Sequence, residues 1–148
     1  MDQSKIATFL DSRSEAIRTK DIDQLMSHYS PDIIYFDLVP PLQYVGSGAL
    51  RDRFSEWFDG YKAIRQEIHD LNISISRDIA FTSMLIQAGG TLKNGHKVEL
   101  WVRATSCCQQ SNDTWLITHE HISLPVDFKS GRAVMDLVPN YKFLATPN

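Results

Sequence analysis

Residues 115–125 read W-L-I-T-H-E-H-I-S-L-P, and strand alternation through this stretch places Trp115, Ile117, His119, His121 and Ser123 on one face. A face that opens apolar and turns polar describes an apolar wall leading to a polar pocket floor. The two histidines are therefore read as part of a ligand site. The plainer alternative is a pair of partly exposed or hydrogen-bonded imidazoles on a solvated face. Glu120 points the other way and is read as a solvated or interface residue.

The same period of two runs back to Ile64, with Leu71, Ile73 and Ile75 on one face and Asn72 and Ser74 on the other. Four long strands are predicted over 64–76, 79–92, 96–109 and 114–124. The turn signals between them, R-D, K-N-G and Q-S-N-D, make the set an antiparallel meander. Upstream the period is helical. Ile6, Phe9, Leu10, Ala16 and Ile17 form an apolar stripe after Ser4, which suits an N-cap, so a first helix is predicted over about 5–19. Asp21 caps a short second helix carrying Ile22, Leu25, Met26 and Tyr29, which Pro31 stops. A short strand over 33–38 and an irregular loop, V-P-P-L-Q-Y-V-G, precede a third helix opened by Ser47 or Gly48 and carrying Leu50, Phe54, Trp57 and Phe58.

Helices first and strands last predict an α+β fold. Three N-terminal helices on one strongly curved, mainly antiparallel sheet make a cone-shaped single domain. Helices cannot fill a bent sheet to its end, so the mouth of the cone is a natural small-molecule cavity. Leu116, Ile122 and Leu124 alternate on the other face, an apolar set that favours a homodimer.

At 148 residues the chain is one domain, long enough to bury a core without disulfide or metal. A net charge of -3 and a pI near 5.9 give no electrostatic reason to expect nucleic acid. No apolar run approaches a membrane span, and M-D-Q-S-K-I-A-T-F-L lacks a signal-peptide core, so the expected location is cytoplasmic, away from membranes. Cys107 and Cys108 are adjacent in a strand and point to opposite faces, which is poor geometry for a bridge.

The ordered set D-I-D-Q-L-M-S-H-Y-S-P-D, G-S-G-A-L, W-V-R-A-T and W-L-I-T-H-E-H-I-S-L-P with its V-D-F-K-S-G-R-A tail resembles the SnoaL-like, ketosteroid-isomerase-related branch of the nuclear transport factor 2-like superfamily. The resemblance covers nearly the whole chain and implies a nuclear transport factor 2-like, cystatin-like fold. It implies a SnoaL-like domain over 1–125 and a C-terminal tail over 126–148 that lies on the same domain or on a dimer partner. It further implies that Asp37, in Y-S-P-D-I-I-Y-F-D-L-V, falls on the catalytic aspartate of the isomerases, where a carboxylate shuttles a proton beside a carbonyl. The isomerases' helical tyrosine corresponds to about Arg13, and W-V-R-A-T contains no acid where their protonated aspartate falls. Enolate stabilisation would then pass to His119, His121 or Arg103.

Arg103 depends on hairpin register: one register sets it beside His121 with Thr105 beside His119, and the other sets it opposite Glu120 as a cross-strand ion pair. Candidate catalytic residues are thus Asp37, His119, His121 and Arg103, and candidate substrate contacts are Tyr35, Trp57, Trp101 and Thr105, the aromatics also suiting a core. Asp37 or Glu99 could complete a metal site with the histidines, but no third ligand lies at a diagnostic spacing, so neither metal nor cofactor is expected. Two function classes follow: an acid/base isomerase, cyclase or dehydratase acting on a small apolar carbonyl compound, or a non-catalytic ligand-binding or dimeric assembly domain.

Overall fold

The computed structural model describes residues 2–139. Its order is α1 (Gln3–Arg18), α2 (Ile22–Met26), β1 (Tyr29–Phe36), β2 (Tyr44–Val45), α3 (Ser47–Asp59), β3 (Tyr61–Ser76), β4 (Ile79–Leu92), β5 (Lys97–Ser111), β6 (Thr114–Ser123), β7 (Val126–Asp127) and β8 (Arg132–Ala133). The six-stranded sheet has the order β2-β1-β6-β5-β4-β3, and β7 pairs separately with β8. The meander β3 to β6 is antiparallel, and β1 joins β6 in parallel. This is the α+β architecture predicted from the change of period.

Local chemistry accounts for the element ends. Asp2, and not Ser4, caps α1, its carboxylate accepting from the Ser4 amide at 2.9 Å. Asp21 caps α2 through the Gln24 amide, as expected, but that helix ends at Met26 and the chain is already extended at Tyr29. Pro31 therefore lies inside β1. It is tolerated there because the β1–β6 register is broken between Tyr29 and Ile34, where no ladder bond needs its missing N–H. Asn112 and Asp113, with φ of 53° and 63°, form the two-residue turn between β5 and β6.

Two glycines let the sheet bend. Gly89 and Gly90 on β4 have φ of +111° and +133°, and a Cβ would stand 2.1 Å from the Val98 carbonyl oxygen at the first and 2.1 Å from the Ala63 carbonyl oxygen at the second. Only glycine allows both the conformation and this approach of neighbouring strands.

The helices cover one face of the sheet. Ile6, Leu10 and Ile17 of α1 and Leu50, Phe54 and Phe58 of α3 meet Ala80, Met84 and Ile86 of β4, Val102 and Ala104 of β5 and Ile117 of β6 in one core. Among the described residues no helix is long and apolar enough to cross a membrane. Beyond Ser123 the chain makes the small β7–β8 hairpin, and Met135 returns to the cavity described below. The part of the expected tail beyond residue 139 lies outside the described residues.

Candidate functional site

The site is decided by one extra residue in β6. Cys108 pairs with Ile117 while Cys107 pairs with His119, so Thr118 is a β-bulge and alternation restarts after it. Ile117 faces the core, and on the far side of the bulge Glu120 and Ile122 face inward in place of His119 and His121. Unbroken alternation predicts the reverse. The bulge exchanges the faces.

Inside the cone lies a cavity of about 360 Å³. Ile17, Ile86, Leu100, Val102, Ile122, Phe54 and Trp57 give it mainly apolar walls. Four charged side chains enter it as two ion pairs. Arg13 of α1 bonds Glu120 of β6, and both are about 1% exposed. The other Glu120 oxygen accepts from the Tyr29 hydroxyl at 2.6 Å, and Ser106 adds a bond of 2.5 Å. Burial alone would lower the Arg13 pKa, but the carboxylate of Glu120 outweighs that cost and the guanidinium is held charged. Nearer the mouth, Arg53 of α3 donates to Asp37 at 2.8 Å, and the Leu38 amide donates to the other Asp37 oxygen at 2.6 Å.

Tyr35 completes the polar lining. It lies two residues before Asp37 and meets Phe54 edge-on at 5.5 Å. Burial pushes its phenol well above the usual range, and the charges of Glu120 and Asp37 push it further, so at neutral pH it is a donor. Burial likewise raises the Cys108 thiol to about 12, which leaves it protonated and inert.

Of the residues expected at the site, Asp37, Tyr35 and Trp57 line the cavity. His119, His121, Arg103, Trp101 and Thr105 do not, and the expectation that they share it is corrected. They stand together on the outer face of the sheet. His119 Nδ1 donates to the Ile34 carbonyl at 2.9 Å, both imidazoles meet Phe36 edge-on at 4.8 and 5.3 Å, and Thr105 is opposite His121. Arg103 is exposed opposite Ser123, to which it donates at 3.0 Å, so neither of its two expected partners is the actual one. Trp101 lies against His69 at 4.8 Å. Glu120, read as solvated, is the buried anion of the cavity, and Ile122, assigned to the outer apolar set, lines the cavity instead. Among the described residues no three His, Cys, Asp or Glu side chains converge to hold an ion.

Arg13, Glu120 and Arg53 escaped the sequence reading, although a signal for the first two exists. Arg13 occupies a core position of the Ile6–Leu10–Ile17 stripe, and Glu120 precedes Ile122 and Leu124 at strand spacing. Two opposite charges, each in an apolar row, require each other.

A family model for a SnoaL-like domain matches residues 6–127. No match to a curated protein was found by sequence. Among solved structures, the chain is similar to an NTF2-like protein of unknown function from Pseudomonas putida KT2440, with 25% identity, 92% of this chain and 95% of that one covered, and a TM-score of 0.84. A candidate dehydratase of the NTF2-like family from Streptomyces avermitilis is 17% identical over 81% of this chain and 93% of its own, with a TM-score of 0.73. A candidate scytalone dehydratase from Novosphingobium aromaticivorans DSM 12444 is 11% identical over 79% of each chain, also with a TM-score of 0.73. The last two likenesses are of fold.

Proposed function

Since this chain belongs to the SnoaL-like domain family, we propose that its cone binds a small, mainly apolar carbonyl compound and that Asp37 moves a proton on it. The observation that carries this reading is a carboxylate, a phenol and an indole, from Asp37, Tyr35 and Trp57, lining one largely apolar cavity. Asp37 takes a proton from a carbon activated by the carbonyl and returns it elsewhere, the shared step of an isomerase, a cyclase or a dehydratase. Apolar walls favour this chemistry because they exclude the water that would compete for the proton. Arg53 orients the carboxylate. The acid and enolate-stabilising roles expected of His119, His121 and Arg103 pass to groups inside the cavity, because a side chain on the outer sheet face cannot reach a ligand in the cone.

The test is carbon-bound deuterium incorporation into a bound ketone in heavy water. Asp37→Asn keeps the shape and removes the base, and should slow exchange by about 10²- to 10⁴-fold while ketone binding persists. Exchange at the unchanged rate would exclude Asp37.

A ligand-binding domain without turnover is the second reading, and it is favoured by one observation. Each Asp37 oxygen already accepts one bond, from Arg53 and from the Leu38 amide, so the carboxylate is engaged in holding the chain and keeps only its remaining lone pairs for a proton. No exchange in the wild-type protein, with ligand bound, would select this reading.

We further infer a homodimer formed through the outer face of the sheet. Val45, Ile34, His119, Cys107 and Phe81 fall in register across five strands, and Val45, Ile34 and Phe81 are 60%, 39% and 56% exposed. A row of that length, apolar at every position but His119, favours burial against a second copy.

A further inference from the structure

The charges inside the cone cancel, and that restricts what it can hold. Arg13 is matched by Glu120, and Arg53 by Asp37. The remaining ionised side chain of the lining, Glu56, is exposed and faces solvent. A carboxylate or phosphate entering this space would lose its hydration shell and find no free cation, because each guanidinium is already held by an anion. Burying a charge without a partner costs several kcal/mol, whereas a carbonyl oxygen needs only one good donor.

That donor is present. Tyr35 lines the cavity and its hydroxyl makes no hydrogen bond to any of the described residues, in contrast to the Tyr29 hydroxyl, which is spent on Glu120. Tyr35 is buried and its ring is fixed between Tyr29 and Phe54, with centroids at 6.5 and 5.5 Å, so the hydroxyl is aimed before any ligand arrives. Asp37 follows it by two residues, one past the end of β1, a spacing of about 6.6 Å if the chain continues extended. The width of a small carbon skeleton fits between them.

We infer that the cavity selects an uncharged ligand with one acceptor oxygen, and that the Tyr35 hydroxyl receives that oxygen while the carbon skeleton extends towards Asp37. This deepens the carbonyl-compound reading and rests on it. Tyr35 then acts first in recognition, and in turnover it stabilises negative charge that develops on the oxygen as Asp37 takes the proton.

Three probes of one size separate the possibilities: acetophenone, benzoate at pH 7 and ethylbenzene, titrated into the full chain and followed by the NMR signals of the Trp57 indole and the Gly89 amide. Acetophenone should bind at least about tenfold more tightly than benzoate, and Tyr35→Phe should weaken acetophenone by about tenfold while leaving ethylbenzene unchanged. Thermal unfolding of Tyr35→Phe should match the wild type, since the lost hydroxyl has no partner among the described residues.

Benzoate binding as tightly as acetophenone would overturn the inference and leave the cavity reading intact. Equal losses for acetophenone and ethylbenzene in Tyr35→Phe would overturn the hydrogen bond and reduce Tyr35 to a wall residue. Failure of all three probes would overturn this inference together with the small-molecule reading beneath it.

Discussion

Arg13 on α1 and Glu120 on β6 stand 107 residues apart in the chain and form an ion pair whose side chains are both 2% exposed. Tyr29 and Ser106 satisfy the carboxylate further, while the Arg13 Nε–H has no partner among the described residues. The pair joins the first helix to the last long strand beneath the cavity. Removing one partner strands a charge in a medium that cannot solvate it. Arg13→Met and Glu120→Leu should each destabilise by about 3–5 kcal/mol in urea unfolding, and the double variant should be more stable than either single one. Additive losses would show that the two side chains act independently.

Gly90→Ala should cost roughly 3 kcal/mol or more, because the added methyl meets the Ala63 carbonyl and the residue is held at φ +133°. Gly95→Ala is the control. Its φ of +91° is also positive, but nothing lies within 4 Å of the new Cβ. Gly90→Ala should lose clearly more than Gly95→Ala, the excess combining the more extreme φ with the close approach of strands at the bend.

His28 carries a pH dependence of stability. Burial lowers its pKa from the usual value of 6.5, while its Nδ1–H donates to the carbonyls of Gln24 and Leu25 at 2.9 and 3.2 Å. The unfolded chain therefore binds a proton that the folded chain resists. This contribution is fully present above about pH 6.5 and is lost progressively as the pH falls towards the folded-state value. Thermal scans should show a fall between pH 7 and pH 5 that is smaller in His28→Gln. An identical slope in the variant would assign the fall to other groups.

The dimer is tested on the outer face. Light scattering at micromolar concentration should give twice the chain mass, and Ile34→Asp, which places a charge in the Val45–Ile34–His119 row, should give the monomer without loss of fold by circular dichroism. A monomer mass for the unaltered chain removes this reading, and leaves the cavity chemistry untouched.

The change from helical to alternating period near Ile64 is a property of nearest neighbours, and it determined the order of elements, the meander and the α+β class. Part of the site was legible as well. Asp37 was legible through the family resemblance of Y-S-P-D-I-I-Y-F-D-L-V, Tyr35 lies two residues before it near the end of β1, and Trp57 belongs to the apolar stripe of α3. What the sequence alone determined is therefore what periodicity and an ordered set of local motifs carry.

Only the tertiary structure decided which face of β6 enters the cone. That choice rests on a single unpaired residue, Thr118, whose position is set by how β5 and β6 register against each other and not by any local propensity. The bulge turned His119 and His121 outward and Glu120 inward, and Glu120 is stable there because folding brings Arg13 to it. A buried charge is intelligible only beside its partner, and that partner lies at the other end of the chain.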